Sequence, residues 1–295
     1  MVAQRKIEVD SIAKYAARIE ELLEATLVRQ SDASYKGNWY RGVGSANLHK
    51  LMPTLYRHPV IRNVEELIKL ERTMLDDFER QNVLHTATAT PIGWGNDAKP
   101  LLSLFVMQHH GIPTRLLDWT SNPFIALYFA LSSAHMTDDA KGYKDDAAIW
   151  VLDPVAWNEE SLKQVTHGKA GPLSHDSDIP VTGYGPRKLY GGKLEPTAIN
   201  TLYDTPAAIL GVSNTARMFA QRGVFTIFGR TVKPLEEQMA AGKFEAGTLT
   251  KIVIPKRCIG ELLQKLLHIG YTDSVSYPDL SGLAMEIKRS RGFRV

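Results

Sequence analysis

Cysteine is almost missing from this chain of 295 residues. Its one thiol, Cys258, excludes an internal disulfide and a zinc site built on several thiolates. Metal-binding spacing is missing as well. There is no His-Glu-x-x-His string, and His167 and His175 sit in a polar stretch without ligand spacing, so no metal site is expected. No apolar run approaches the length of a membrane span, and the opening MVAQRKIEVD lacks the apolar stretch of a secretory signal. A dense Lys/Arg run is absent too. With 35 basic against 32 acidic residues the formal net charge is only +3, too weak for an electrostatic footprint on nucleic acid. There is no internal repeat and no low-complexity block. These absences lead to the expectation of a soluble, cytoplasmic protein without a membrane partner.

What is present is ordinary for a globular chain: 44% apolar and 23% charged residues. Periodicity predicts helices over 7–29, with Ile12, Tyr15, Ile19, Leu22 and Leu23 on one face, and over 64–84, with Leu67, Leu70, Met74 and Phe78. A third is expected over 100–110, with Pro100 in the first turn and Gly111 past the end. A fourth starts at Asn122-Pro123 and runs to Ser133. It is apolar nearly all round, hence deeply buried. A late helix over 261–270 ends at Gly270. Strands are expected at Trp39 to Gly42, 147–152, 223–228 and 249–254, where β-branched and aromatic residues concentrate. Residues 164–195 read as a long surface excursion, which inside a compact domain is usually functional or mobile. The expected architecture is α+β. An N-terminal helix over 1–34 precedes one globular unit over 35–295, with a helical N-terminal part and a mixed, mainly antiparallel sheet core.

The richest stretch is QHHGIPTRLLDWTSNPFIALYFA, residues 108–130. Its second half is core. Its first half carries His109 and His110 at the end of the third helix, then the short connector IPTRLLDWTS with Arg115, Asp118, Trp119, Thr120 and Ser121. Adjacent histidines on a helix point about 100° apart, so only one of the two can serve a given site. Arg115 and Asp118 are either a buried ion pair that fixes this loop or groups that touch a substrate. Trp119 is either core packing or a platform for an aromatic ring.

Several separate stretches, in order, carry a resemblance: YRG (40–42), LMPTLYR (51–57), the 108–130 block, QRGVF (221–225) and YPDLSGLA (277–284). Over about residues 35–288 the chain resembles the FRG domain, named for its aromatic-Arg-Gly motif. The resemblance implies a bacterial setting and a role in phage conflict, as a toxin or defence effector. More distantly, the motif order is similar to that of ADP-ribosyltransferases. These enzymes place an aromatic-Arg-Gly string on a first core strand, a Ser/Thr pair before a helix, and a Glu near a later strand. Tyr40-Arg41-Gly42 corresponds to the first and Thr120-Ser121, followed by Ala126 and Phe129, to the second. At the third, before GVFTIF, this chain has Gln221.

The second resemblance implies an ADP-ribosyltransferase-like core with NAD as cofactor and a protein or nucleic-acid acceptor. Cleaving the nicotinamide–ribose bond passes through an oxocarbenium-like state, as glycoside cleavage does. Arg41 suits the pyrophosphate, because its planar fork matches phosphate oxygens; it can also simply brace a turn. Gly42 and Gly44 would let the cofactor approach the backbone. Thr120 and Ser121 would hold the ribose, with Tyr40, His109, Arg115, Trp119 and Asp279 around the nucleotide. Gln221 can hydrogen-bond a ribose hydroxyl but supplies no charge, so Asp118, Asp279 or Glu71 would have to serve as the carboxylate. Asp279 can equally belong to a turn before the last helix. Two other classes remain open: a hydrolase of nucleic acid or nucleotides using His, Arg and Asp, and a non-enzymatic nucleotide-binding sensor or adaptor.

Overall fold

The computed structural model describes residues 7–81, 101–139, 141–165, 171–175, 178–195, 197–211 and 215–295. Ten strands occur among these residues: β1 (Ile7–Glu8), β2 (Trp39–Val43), β3 (Leu116–Thr120), β4 (Ala147–Leu152), β5 (Leu173–Ser174), β6 (Leu189–Tyr190), β7 (Lys193–Leu194), β8 (Ala207–Leu210), β9 (Gly223–Ile227) and β10 (Leu249–Ile254). The helices are α1 (Ile12–Arg29), α2 (Val64–Gln81), α3 (Leu102–His109), α4 (Pro123–Ser132), α5 (Pro154–Ser161), α6 (Asp178–Tyr184), α7 (Ala216–Ala220), α8 (Leu235–Ala241), α9 (Ile259–His268), α10 (Asp273–Ser276) and α11 (Leu280–Ser290). Eight strands form one sheet in the order β1-β10-β4-β2-β3-β9-β8-β5, while β6 and β7 make a separate hairpin. The large sheet is antiparallel except at its two edges, where β1 runs parallel to β10 and β5 parallel to β8. The fold is therefore mixed α/β with a mainly antiparallel sheet, as expected.

The sheet is covered on both faces. On one, α4 lies across β2 and packs with α1 and α9 around Tyr15, Leu127, Tyr128, Ile149 and Leu262. On the other, Trp39, Leu55, Leu67, Trp119, Trp150 and Trp157 form a second core beneath α2 and α8. A third cluster, with Leu104, Phe105, Leu116, Tyr184 and Phe225, extends the packing toward the β5 edge. All six residues of β4 are buried; a strand closed on both faces needs an unbroken apolar run, and AAIWVL provides it.

Local chemistry sets the boundaries. Ser11 caps α1 by accepting from the Lys14 amide, so the helix starts there. Ile7 and Glu8, expected in that helix, are instead edge strand, and the Val9 amide continues the pairing to the Val253 carbonyl. Together with β2 in mid-sheet, this makes the N-terminal part less purely helical than the sequence implies. Asn122 caps α4 as expected, its Oδ1 accepting from the Phe124 and Ile125 amides. Gly111 takes a left-handed φ of 79° after α3 and Gly270 one of 101° after α9. The expected connector IPTRLLDWTS is in its second half strand β3, paired along its length with β9. Pro100, residues 82–84 and His167 lie outside the described residues; within the described part of 164–195 sit β5, α6, β6 and β7.

Candidate functional site

The sheet is continuous on the outer sides of β2 and β3 but not between them. β4 pairs with all of Trp39–Val43, and β9 with all of Leu116–Thr120. β2 and β3 meet at one registered pair, Tyr40 with Thr120. Beyond it the strands part. Arg41 bridges the gap, its Nη1 donating to the main-chain carbonyl of Asp118. The side chain thus stands in for the ladder donor that a paired neighbour would supply. Its Nε is buried and has no partner among the described residues. Burial pulls the guanidinium below its ordinary value, and the charge of Arg57 adds to that, while the Asp118 carboxylate opposes both.

A cleft of about 330 Å³ opens at this split. Tyr40, Arg41 and Gly42 of β2, Asp118 and Thr120 of β3, Gln108 and His109 of α3, Phe129 and Ser133 at the end of α4, and Arg217 and Gln221 at α7 border it. Arg41, Thr120 and Gln221, widely separated in sequence, therefore converge.

Asp118 is the carboxylate of the cleft. Its side chain is exposed, and its Oδ2 accepts from Gln108 Nε2 at 2.7 Å. Gln108 is fixed in turn by the Thr114 hydroxyl, which donates to its Oε1 at 2.6 Å. His109 lines the cleft and His110 does not. Burial lowers the His109 pKa, the charges of His110 and Arg217 lower it further, and Asp118 and Asp279 oppose the shift. On balance these effects favour its neutral imidazole form. Tyr40 is buried, which pushes its phenol up to about 12. Arg217 lies 4.7 Å over the ring of Tyr277, which packs edge-on against Phe129 at 5.8 Å.

Other residues take different places from those expected. Arg115 and Asp118 are not a pair. Arg115 is fully buried and binds Glu71, Nε to Oε2 at 2.8 Å, while its two Nη atoms donate to the carbonyls of Phe228 and Tyr184. It does not reach the cleft, and it consumes Glu71 as a candidate carboxylate. Trp119 borders the cleft, while its buried indole packs into the second core and donates to Thr226 Oγ1 at 3.1 Å. Thr120 is a latch: its hydroxyl donates to the Gln221 carbonyl at 2.6 Å and accepts from the Asn122 amide. Ser121 is not among the residues bordering the cleft, and its amide donates to the Arg222 carbonyl. Asp279 caps α11, accepting from the Ser281 and Gly282 amides, and is also outside the cleft wall. Gly42 and Gly44 make room for protein. A Cβ at Gly42 would lie 1.9 Å from the Ala126 carbonyl oxygen, and one at Gly44 2.2 Å from that of Ser133.

Gln221 ends α7 and donates through Nε2 to the Ser276 carbonyl at 2.8 Å. Neither Arg217 nor Gln108, both on the cleft, stands out in the sequence. Arg217 lies four residues before Gln221, a spacing that shares one helix face; Gln108 opens the QHHG string and carried no separate signal. Among the described residues no group of three or more His, Cys, Asp or Glu side chains is placed to hold a metal ion. None of their helices is long and apolar enough to cross a membrane.

The FRG domain family model matches residues 36–139. The chain carries an FRG domain. The matched segment contains β2, α3, β3 and α4, hence Arg41, Gln108, His109 and Asp118; the wall made by Arg217 and Gln221 lies beyond it. No curated protein and no solved structure matches the chain.

Proposed function

We propose that the FRG-domain cleft binds NAD and cleaves its nicotinamide–ribose bond, passing ADP-ribose to water or to a protein or nucleic-acid acceptor, in an ADP-ribosyltransferase-like arrangement. The observation that carries this reading is the convergence of Arg41, Thr120 and Gln221 on one cleft at a split in the sheet. The cleft volume sits at the small end of the range for ligand pockets, roughly 300–1,000 Å³. Arg41 fits a phosphate, because its Nε is a donor with no partner among the described residues.

In this reading the bond between ribose C1′ and the nicotinamide nitrogen breaks, and its electron pair stays on the ring, which leaves neutral. The acceptor's lone pair closes on C1′. Asp118, held on one oxygen by Gln108, places negative charge beside the cationic sugar that develops. Neutral His109 takes the acceptor's proton. Gln221 and Thr120 hold the wall in shape, since both spend hydrogen bonds inside the protein.

One observation favours a second reading, a nucleotide sensor without turnover. At the third motif the chain has an amide, and that amide is tied to the Ser276 carbonyl. One experiment separates the two: titrate the protein with NAD calorimetrically and follow nicotinamide release by chromatography, alone and with cell extract. Release that is lost in Asp118→Asn supports the enzyme. Binding without release supports the sensor. Absence of binding at millimolar NAD ends both.

A further inference from the structure

Helix α11 is mounted inside out. At about 100° per residue, Leu280, Leu283, Ala284 and Ile287 share one face, and the opposite face holds Gly282, Met285, Glu286 and Arg289. It is the second face, with the charged pair Glu286 and Arg289, that docks on the protein. Arg289 Nε and Nη2 donate to the two oxygens of Asp273 at 2.8 and 2.9 Å; Glu286 accepts from the Ser274 amide; and Gly282 lies against the Tyr277 carbonyl, where a Cβ would come within 1.9 Å. The apolar face is left in solvent, with Leu280 83%, Leu283 47% and Ile287 54% exposed. Phe293, just past the helix, is 68% exposed. A helix that buries its polar side and exposes its apolar side is the reverse of what the hydrophobic effect selects in an isolated fold. The anchoring through Asp273 and Glu286 fixes that orientation.

The charge around the stripe identifies what covers it. Lys288, Arg291 and Arg294 are exposed and form no ion pair with the described residues. The nearby carboxylates are spent: Glu286 on Ser274, Asp273 on Arg289 and Tyr128, Asp279 on the helix cap. From Leu280 to Ile287 the stripe runs about 10 Å, two turns of helix, which suits anchors at i, i+3 and i+7 of a partner helix. A second copy of this chain would bring the same unpaired cations, and the short stripe is small for insertion into a bilayer. We propose that the exposed face of α11 docks an acidic amphipathic helix of a partner protein, its apolar side chains on Leu280, Leu283 and Ile287 and its carboxylates on Lys288 and Arg291. The surface is independent of whether the cleft turns over NAD.

The test uses a fluorescein-labelled synthetic peptide of about 18 residues, five turns of helix, with Leu at the i, i+3, i+4, i+7 positions and Glu elsewhere. A matched peptide has Lys in place of Glu. Anisotropy titrations are run on the full chain, on Leu280→Ser/Leu283→Ser/Ile287→Ser and on Lys288→Glu/Arg291→Glu. These side chains are exposed, so unchanged circular dichroism is expected for both variants. The expected result is saturable binding of the acidic peptide only, weakened at least roughly tenfold in each variant. The proposal is overturned if the acidic peptide does not bind, if either variant binds it as well as the parent, or if the Lys peptide binds equally. It is also overturned if sedimentation shows the parent, but not the triple-serine variant, to be a dimer, or if phosphatidylglycerol vesicles bind the parent and not that variant.

Discussion

Arg115 and Glu71 meet at 2.8 Å with both side chains withdrawn from water, the carboxylate coming from α2 and the guanidinium from the residue before β3. The guanidinium also closes on the carbonyls of Phe228 and Tyr184, so one side chain ties together α2, β3, the end of β9 and the end of α6. Glu71→Gln leaves a buried cation without its counter-charge, and the expected loss of stability is about 3–5 kcal/mol. The double variant Glu71→Leu/Arg115→Met removes both charges and should recover much of that loss. Chemical denaturation checks both. A double variant no more stable than Glu71→Gln would mean that the bonds to Phe228 and Tyr184, rather than the ion pair, hold this junction.

That pair also shows where sequence reading stops. Arg115 and Asp118 are neighbours in the chain, and proximity makes them look like partners. Strand geometry separates them, because residues three apart on a strand point to opposite faces. The true partner is 44 residues earlier in sequence and carries no local signal. β3 itself was hidden because Leu116, Leu117, Trp119 and Thr120 are all buried. With both faces of the strand covered, no alternation remains to be read, and the Gly111 and Pro113 just before it resemble a loop. By contrast α4 was legible, since Asn122-Pro123 is a cap followed by the first helical position and PFIALYFALS is apolar on all sides. Motif order points to one cleft for Arg41, Thr120 and Gln221, and all three border it, but it carries no sign of the Thr120 latch. The Thr120 hydroxyl is spent on the Gln221 carbonyl, a bond between residues 101 positions apart.

The motif suggests room for a cofactor at Gly42, but the space there is taken by a helix. A methyl group there would lie 1.9 Å from the Ala126 oxygen and 2.5 Å from the Ala130 amide nitrogen, both backbone atoms of α4 that cannot rotate away. Gly42→Ala should therefore destabilise the fold by about 1–3 kcal/mol or more, the cost of overpacking a closed core. Because α4 carries Phe129 to the cleft wall, ligand binding should weaken along with stability. Thermal unfolding, with calorimetry at a temperature where the variant is still folded, reads both; a midpoint equal to the parent's would contradict the tight approach of α4 to β2.

Asp273 joins Tyr128 of α4 to Arg289 of α11 and gives a pH signature. Burial alone would raise its pKa; the hydrogen bonds from Arg289 and Tyr128, with the charge of Arg289, outweigh that and leave it below the ordinary 3.8. A carboxyl whose folded-state pKa is depressed contributes stability that is complete above the unfolded value and disappears as pH falls through the folded value. Asp273→Asn should cost about 1.5–3 kcal/mol at pH 7, the range for a hydrogen bond to a charged group. The gap between variant and parent should close as the pH falls below 3.8. Urea denaturation from neutral to acidic pH measures it, and a gap that stays constant below pH 3.8 would show that the aspartate acts only by its shape.

Arg41 is asked to do two things at once, and substitution separates them. Its Nη1 closes the split between β2 and β3 through the Asp118 carbonyl, while its Nε has no partner among the described residues. Lysine keeps a charge and can still reach one carbonyl, but a single ammonium lacks the planar fork that grips a phosphate while bonded elsewhere. Arg41→Lys should therefore stay within about 1 kcal/mol of the parent in stability, since it preserves one hydrogen bond to the carbonyl. It should bind NAD at least roughly tenfold more weakly. Arg41→Ala should lose both, because the Asp118 carbonyl then has no donor across the split. Unfolding midpoints and calorimetric titration with NAD distinguish the cases. A lysine variant that binds as tightly as the parent would reduce Arg41 to a strut between two strands, and the phosphate would have to be held by another cation of the cleft, with Arg217 the first to be replaced.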